Sequence, residues 1–208
     1  MLNDNELAPL IPFKITFPSH PKPLFEYTNY ISSISYSLHD SVKIWLIREG
    51  PKNLAVPANI DYAVESSLIA MILRTSKNLN SLIINETICN QLVLENLYEN
   101  TTIVSISLCK IRDHYKPKVI DALVKIFYKN STLISLELNK NEFGSKIILN
   151  LNSNQIFGIE GGKSLAKLLC KNISLISLDL GCNELGIEGG KVFAEALCKN
   201  STLKYLDL

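Results

Sequence analysis

The chain has 208 residues, is 47% hydrophobic and carries a formal net charge of +1. That is enough apolar material for a sizeable core, and the charge balance argues against general binding to nucleic acid or to a membrane surface. The start, Met1 to Glu6, is polar and acidic rather than signal-peptide-like, and no apolar run approaches the ~18 residues of a membrane span.

Residues 1–23 carry Pro9, Pro12, Pro18, Pro21 and Pro23. Proline at this density blocks helix and interrupts strands, so the stretch reads as an extended arm that packs along the first repeat or moves freely. Residues 24–40 place Leu24, Tyr27, Ile31, Ile34 and Leu38 on one helical stripe. Val42 to Ile47 then reads as a strand, with Trp45, the one tryptophan, filling a capping core. Residues 1–60 are thus an N-terminal arm and cap, and residues 61–208 a repeat region.

Asp61 to Thr75 predicts the first helix, on Ala63, Val64, Leu68, Met71 and Ile72. Leu79 to Ile84 fits L-x-x-L-x-L, a short strand with one apolar face. A helix over about Ile88–Tyr98, a strand over Ile103–Leu108, a helix over Val119–Tyr128 and a strand over Leu133–Leu138 follow. Leu136-Glu137-Leu138-Asn139-Lys140-Asn141 returns in outline 13 positions later as Leu149-Asn150-Leu151-Asn152-Ser153-Asn154. That leaves no length for a helix between Phe143 and Leu149, so this unit, near 133–148, reads as shortened. Either the short segment returns as an extended loop, leaving a thin place on the helical side, or one of the two strands is not in the ladder.

From there the repeat is regular. Gly158-Ile159-Glu160-Gly161-Gly162-Lys163 through Cys170-Lys171-Asn172 recurs 28 positions later as Gly186-Ile187-Glu188-Gly189-Gly190-Lys191 through Cys198-Lys199-Asn200. Leu175-Ile176-Ser177-Leu178-Asp179-Leu180 recurs likewise as Leu203 to Leu208. The helix is expected to bury Leu165, Ala166 and Leu169 in one copy and Phe193, Ala194 and Leu197 in the next, with Lys163, Lys167 and Lys171 facing out. No unit buries its apolar face alone, so neighbours must stack. The chain stops at Leu208 inside a strand motif, which reads as a fragment of a longer array or, alternatively, as an open strand edge used for dimerisation or a partner.

Asn141, Asn154 and Asn183 follow the strands, where an amide satisfies free backbone groups of a turn. The N-x-S/T pattern occurs at Asn85, Asn100, Asn130, Asn172 and Asn200. The last four share one repeat position between helix and strand, so they read as helix-end and turn chemistry rather than as glycan sites. The five cysteines include no C-x-x-C, and Cys170 and Cys198 are repeat-equivalent. They read as small core residues in a reducing, cytoplasmic compartment, with no zinc site.

The unit L-x-x-L-x-L-x-x-N-x-L, a glycine-started helix and K-N-x-S/T-L resembles a leucine-rich repeat. G-I-E-G-G and L-C-K-N resemble the ribonuclease-inhibitor-like subfamily. The resemblance implies an α/β solenoid, a right-handed horseshoe arc with a parallel sheet on the concave face and helices on the convex face. It also implies non-catalytic binding of a protein partner. The Asn-, Lys- and Ile-rich composition resembles leucine-rich-repeat effectors that intracellular bacteria inject into host cells, which implies a partner in the host cytosol.

His20, His39 and His114 are scattered and fall in no metal or catalytic pattern, and the glycine-rich segments before the helices lack phosphate-loop spacing. No enzyme, cofactor, metal, nucleic-acid, membrane or small-molecule role is expected. In an L-x-L strand the middle residue points away from the apolar face. Those positions are Ile83, Ser107, Glu137, Asn150, Asp179 and Asp207, flanked by a row that ends at Tyr205. The expected partner-binding residues are Ser107, Glu137, Asn150, Asp179, Tyr205 and Asp207. Two rival readings are a GTPase-activating protein similar to the activator of the Ran GTPase, for which Ile83, Ser105 and Ser107 are poor material, and the substrate-recognition half of a ubiquitin ligase.

Overall fold

The computed structural model describes residues 1–15, 27–49, 59–108, 111, 113–138, 155–181 and 186–207. Its helices are α1 (Asp4–Leu7), α2 (Ser37–Glu49), α3 (Ile60–Thr75), α4 (Gln91–Glu99), α5 (Lys116–Lys129), α6 (Gln155–Lys171) and α7 (Gly186–Leu197). Its strands are β1 (Ser33–Ile34), β2 (Ser81–Ile84), β3 (Ser105–Leu108), β4 (Ser135–Glu137), β5 (Ser177–Asp179) and β6 (Tyr205–Asp207). The strands form one open six-stranded sheet in chain order, and every pairing is parallel. α2 and α3 both stand between β1 and β2, and from β2 onward α-helices alternate with strands, so this is an α/β repeat fold.

The strand leucines and isoleucines supply the core. Leu82, Ile106, Leu136 and Leu178 are buried and share one apolar cluster with Leu97 of α4, Leu123 of α5 and Leu169 of α6. The alternate strand residues are half-buried on the opposite face. Each fully buried leucine is worth about 1.5–3 kcal/mol over an exposed one, so the alternation fixes which face turns toward the helices.

The joint between helix and strand repeats with the same chemistry. Asn130 Oδ1 accepts the backbone N–H groups of Thr132 at 2.9 Å and Leu133 at 2.9 Å. Its Nδ2 donates to the preceding unit's Asn100 carbonyl at 2.9 Å. Asn100 accepts from Thr102 and Ile103 and donates to the Leu73 carbonyl at 3.0 Å. Asn172 and Asn200 make the corresponding bonds. The hydroxyl two residues on joins in: Thr132 donates to the Ile103 carbonyl at 2.9 Å and Ser174 to the Leu133 carbonyl at 3.0 Å. In the first unit Ser76, three residues before Leu79, takes the asparagine's place and donates to the Ile31 carbonyl at 3.0 Å. Asn100, Asn130 and Asn172 are buried, with their amide protons committed to carbonyls. These N-x-S/T motifs are structural, as the sequence predicts.

The N-terminal third departs from expectation. Residues 4–13 are helical rather than extended: α1 runs into a 3-10 segment, Ala8–Phe13, with Pro9 in its first turn. An Asn3/Glu6 capping box starts α1. Leu10 is buried against Val42, Leu46, Ile60 and Val64, and the fully buried Glu6 carboxylate pairs with Arg74 of α3 at 2.7 Å. The Val42–Ile47 stretch lies inside α2, not in a strand. Val42 and Leu46, four apart, are its buried residues, while Ile44 and Ile47 are exposed and Trp45 is 37% exposed rather than in a core. The described part of 24–40 is a 3-10 turn, Tyr27–Tyr30, then β1, then the first residues of α2 from Ser37. The rest of the arm, with Pro18, Pro21 and Pro23, lies outside the described residues.

The unit after β4 is also corrected. β4 pairs directly with β5, Ser135 opposite Ser177 and Glu137 opposite Asp179, and α5 packs on α6. The ladder therefore takes the second of the two readings: no rung stands between the strands at 133–138 and 175–180, and no thin place is left among the helices. From rung to rung this unit spans 42 residues, against 28 from Ser177 to Tyr205, so it is lengthened rather than shortened. Asn141, Asn150, Asn154 and Asn183 lie outside the described residues. The glycine-rich segments at 158–162 and 186–190 fall within α6 and α7 rather than in turns ahead of them. Gly186 has a φ of +66°, at the first residue of α7. In α7 Phe193 and Ala196 are buried, whereas Ala194 and Leu197 are exposed. The corresponding α6 residues, Ala166 and Leu169, are covered because α7 packs on α6.

Replacing Asn130 by Ala takes a partner from two N–H groups and from the Leu97 and Asn100 carbonyls, and a buried group left unmet costs about 1–3 kcal/mol. The expected loss is about 2–4 kcal/mol in urea unfolding. Asn130→Asp keeps the acceptor, loses the donor, and should still cost at least ~1 kcal/mol. Loss below ~0.5 kcal/mol in both would contradict this role of the joint.

Candidate functional site

Strand pairing sets the candidate residues in rows. Ile83 stands opposite Ser107, Ser107 opposite Glu137, Glu137 opposite Asp179 and Asp179 opposite Asp207. A second row runs Ser33, Ser81, Ser105, Ser135, Ser177 and Tyr205. Both lie on the face turned away from the buried leucines. Ser107, Glu137 and Asp179 are half-buried there, Asp207 is exposed, and Tyr205 is 68% exposed. Five of the six expected residues are thus brought onto one face, and the sixth, Asn150, lies outside the described residues.

Parallel strands run about 4.8 Å apart, so Glu137, Asp179 and Asp207 form a line of carboxylates at that spacing. Like charges side by side on a sheet repel, by roughly 1 kcal/mol per neighbouring pair in water-like surroundings. Asp179 is further fixed by its backbone: the Gly181 N–H donates to its Oδ1 at 2.9 Å. A Cβ at Gly181 would meet that oxygen at 3.2 Å and the Asp207 Oδ2 at 3.5 Å. The two aspartates therefore converge on the one residue that leaves them room.

Sequence reading missed a polar cleft of about 400 Å³ lined by Tyr36, His39, Lys43, Asp61, Glu65 and Glu86. It lies where β1 and β2 end and α2 and α3 begin. His39 Nδ1 and Glu65 Oε2 are 2.7 Å apart, across 26 residues of sequence. Burial raises the Glu65 pKa, and the His39 hydrogen bond only partly offsets this. Tyr62 on the same wall is raised too, chiefly by burial. Burial, with Glu86 nearby, pushes the Cys89 thiol up to about 12, which makes it a poor nucleophile. No sequence signal marks this cleft, because no local motif joins His39 to Glu65. Ser33 was missed as well, although it had a signal: Ile31-Ser32-Ser33-Ile34 repeats the spacing of Leu79 to Leu82.

Among the described residues no His, Cys, Asp or Glu group has metal-holding geometry. No described helix is long and apolar enough to cross a membrane.

Residues 171–194 match the family model described as Leucine Rich repeat. The match covers the end of α6, β5 and the first part of α7, so over this stretch the geometry and the comparison agree on a leucine-rich repeat. Comparison with curated proteins finds no match.

A carboxyl whose pKa rises on folding keeps its proton in the native state where the unfolded chain has lost it. Its contribution to stability is full below the ordinary value of 4.5 and falls as pH rises through the raised value. Glu65→Gln removes that loss. The stability of Glu65→Gln relative to the parent should therefore increase between pH ~4 and pH ~7 in urea titrations. Parallel curves would show that Glu65 is not strained by burial.

Proposed function

We propose that this chain is a non-catalytic recognition module that binds a protein partner through the face carrying Ser107, Glu137, Asp179, Tyr205 and Asp207. One observation carries the reading: strand register gathers three carboxylates into a line at strand spacing, a surface complementary to a basic partner. Leucine-rich repeat domains generally mediate protein–protein interaction, which supports the same conclusion.

The face is the inner one of a curved array on this reading. Strands pack at about 4.8 Å, whereas neighbouring helices need about 8–10 Å. Stacked units must therefore bend with the sheet inside, which gives an arc with a concave sheet and convex helices. Small serines leave the floor of that curve open, and the exposed Tyr205 ring offers a large, low-entropy contact beside the acids. The partner it fits presents Lys or Arg with polar neighbours. Such complementarity governs association rate and specificity more than affinity, and it weakens with salt over a Debye length of about 8 Å. Ribonuclease-inhibitor-like subfamily membership, cytoplasmic action and a role as an effector inside a host cell are part of the proposal. The free thiols of Cys89, Cys170 and Cys198 are compatible with a reducing compartment.

The test uses neutral isosteres, Glu137→Gln, Asp179→Asn and Asp207→Asn together; the change at position 179 keeps an acceptor for the Gly181 N–H. This triple variant should be at least as stable as the parent at low salt. In affinity capture from lysates, a partner held by the parent should be lost, with binding weakened at least ~10-fold, which is about 1.4 kcal/mol. A partner held equally by both proteins would move recognition off this face.

A further inference from the structure

On the helical side, a groove of about 700 Å³ lies between the C-terminal ends of α5 and α6. Its floor includes Phe127 and Leu168, both buried. Its walls carry Tyr128 and Ile173, which are 75% and 85% exposed. Among the described residues, Lys129, Lys167 and Lys171 are the charged ones that line it, and no acidic side chain does.

Two features of the groove are not demanded by the repeat. Ile173 is the middle residue of Asn172-Ile173-Ser174, and the three other asparagine joints put Thr101, Ser131 and Ser201 there. Three units close the joint with a small polar residue at this position, so an isoleucine standing in water is a departure without structural need. The second feature is charge. Lys167 and Lys171 are four apart on α6, with Lys163 one turn earlier. Like charges at that spacing destabilise a helix by about 0.2–0.5 kcal/mol per pair. A single lysine at a helix C-terminus is accounted for by the helix dipole, but a line of them is not. The ammonium groups are also positioned: Lys129 Nζ sits 4.7 Å from the Tyr98 ring centre and Lys171 Nζ 5.9 Å from that of Tyr128.

We propose that this groove takes an acidic peptide segment bearing leucine or aromatic residues, from a partner protein. Its apolar side chains seat between Tyr128 and Ile173 over the Phe127 and Leu168 floor, and its carboxylates meet Lys129, Lys167 and Lys171. Charge complementarity selects an anion, and the apolar walls select a peptide over a phosphate chain, which has nothing to place on Ile173. The proposal is independent of the sheet-face reading, since the two surfaces differ in charge and lie on different layers.

The test is fluorescence anisotropy with a fluorescein-labelled peptide of alternating Glu and Leu/Phe residues, on the full chain, at low and at physiological salt. Parent protein should bind saturably. Ile173→Ser, which installs the residue type of the other units at an exposed position, should weaken binding about 10-fold or more. Lys167→Glu with Lys171→Glu should abolish it, while far-ultraviolet circular dichroism stays unchanged. Absence of saturable binding to the parent would overturn the proposal, as would an unchanged affinity in Ile173→Ser. Equal affinity for poly-glutamate or for an oligothymidylate would also overturn it, by showing a general anion surface.

Discussion

Each repeat depends on one side chain that meets the backbone on both sides of a joint. Asn100, Asn130, Asn172 and Asn200 accept the N–H groups that open the next strand and donate to carbonyls that close the previous unit. A buried unmet backbone group costs about 1–3 kcal/mol, comparable to burying a leucine. The asparagine thus does two jobs together. It ends the helix and ties the turn to the neighbouring unit, so each strand starts at the same height as the one before it. Leucine packing alone would tolerate a sliding register along the helices; the amide does not.

Register is what turns a repetitive sequence into a surface. Because Ser105, Ser135 and Ser177 are aligned, the residue two places on is aligned as well, and single differences between units become a pattern across the sheet. Ile83, Ser107, Glu137, Asp179 and Asp207 are such a pattern, apolar at one end and acidic at the other. The helical side is built the same way. Lys129 reaches back over Tyr98 and Lys171 over Tyr128, one unit at a time. The N-terminal segment seals the first unit by a different route. Glu6 is buried with Arg74, and α3 is packed on both flanks, against Leu10 and Val42 on one and Ile84 and Leu94 on the other side of the core.

What could be read from sequence follows from what repeats. Strand phases, the helices over 61–75 and 119–128, and the rows of facing residues were legible because alternation at two residues and the recurring strand–helix unit reinforce one another. The structural role of the N-x-S/T asparagines was legible for the same reason. The cap was not. Val42 to Ile47 is a short apolar run that fits strand and helix alike, and only Val42 and Leu46 packing against Leu10 and Ile60 decides for helix. β1 carries a legible Ile31/Ile34 spacing, but the same residues also fit a longer helical stripe. The choice of rung between 136–138 and 149–151 was not decidable, since both segments carry L-x-L-N and the ladder uses the first. The His39–Glu65 contact and the lysine groove join residues from separate elements, and no local pattern encodes them.

The claim at the centre is that the asparagine joint is closed in every unit that carries it. Amide hydrogen exchange followed by mass spectrometry measures it directly, on peptides covering 100–108, 130–138 and 172–180. The Thr102, Ile103, Thr132, Leu133, Ser174 and Leu175 amides lie outside the strands but are bonded to asparagine side chains. They should exchange as slowly as the strand amides that follow, through opening of the whole array. Exchange at the rate of open loops, with the strands still protected, would show that the joints are not formed and that something else sets the register.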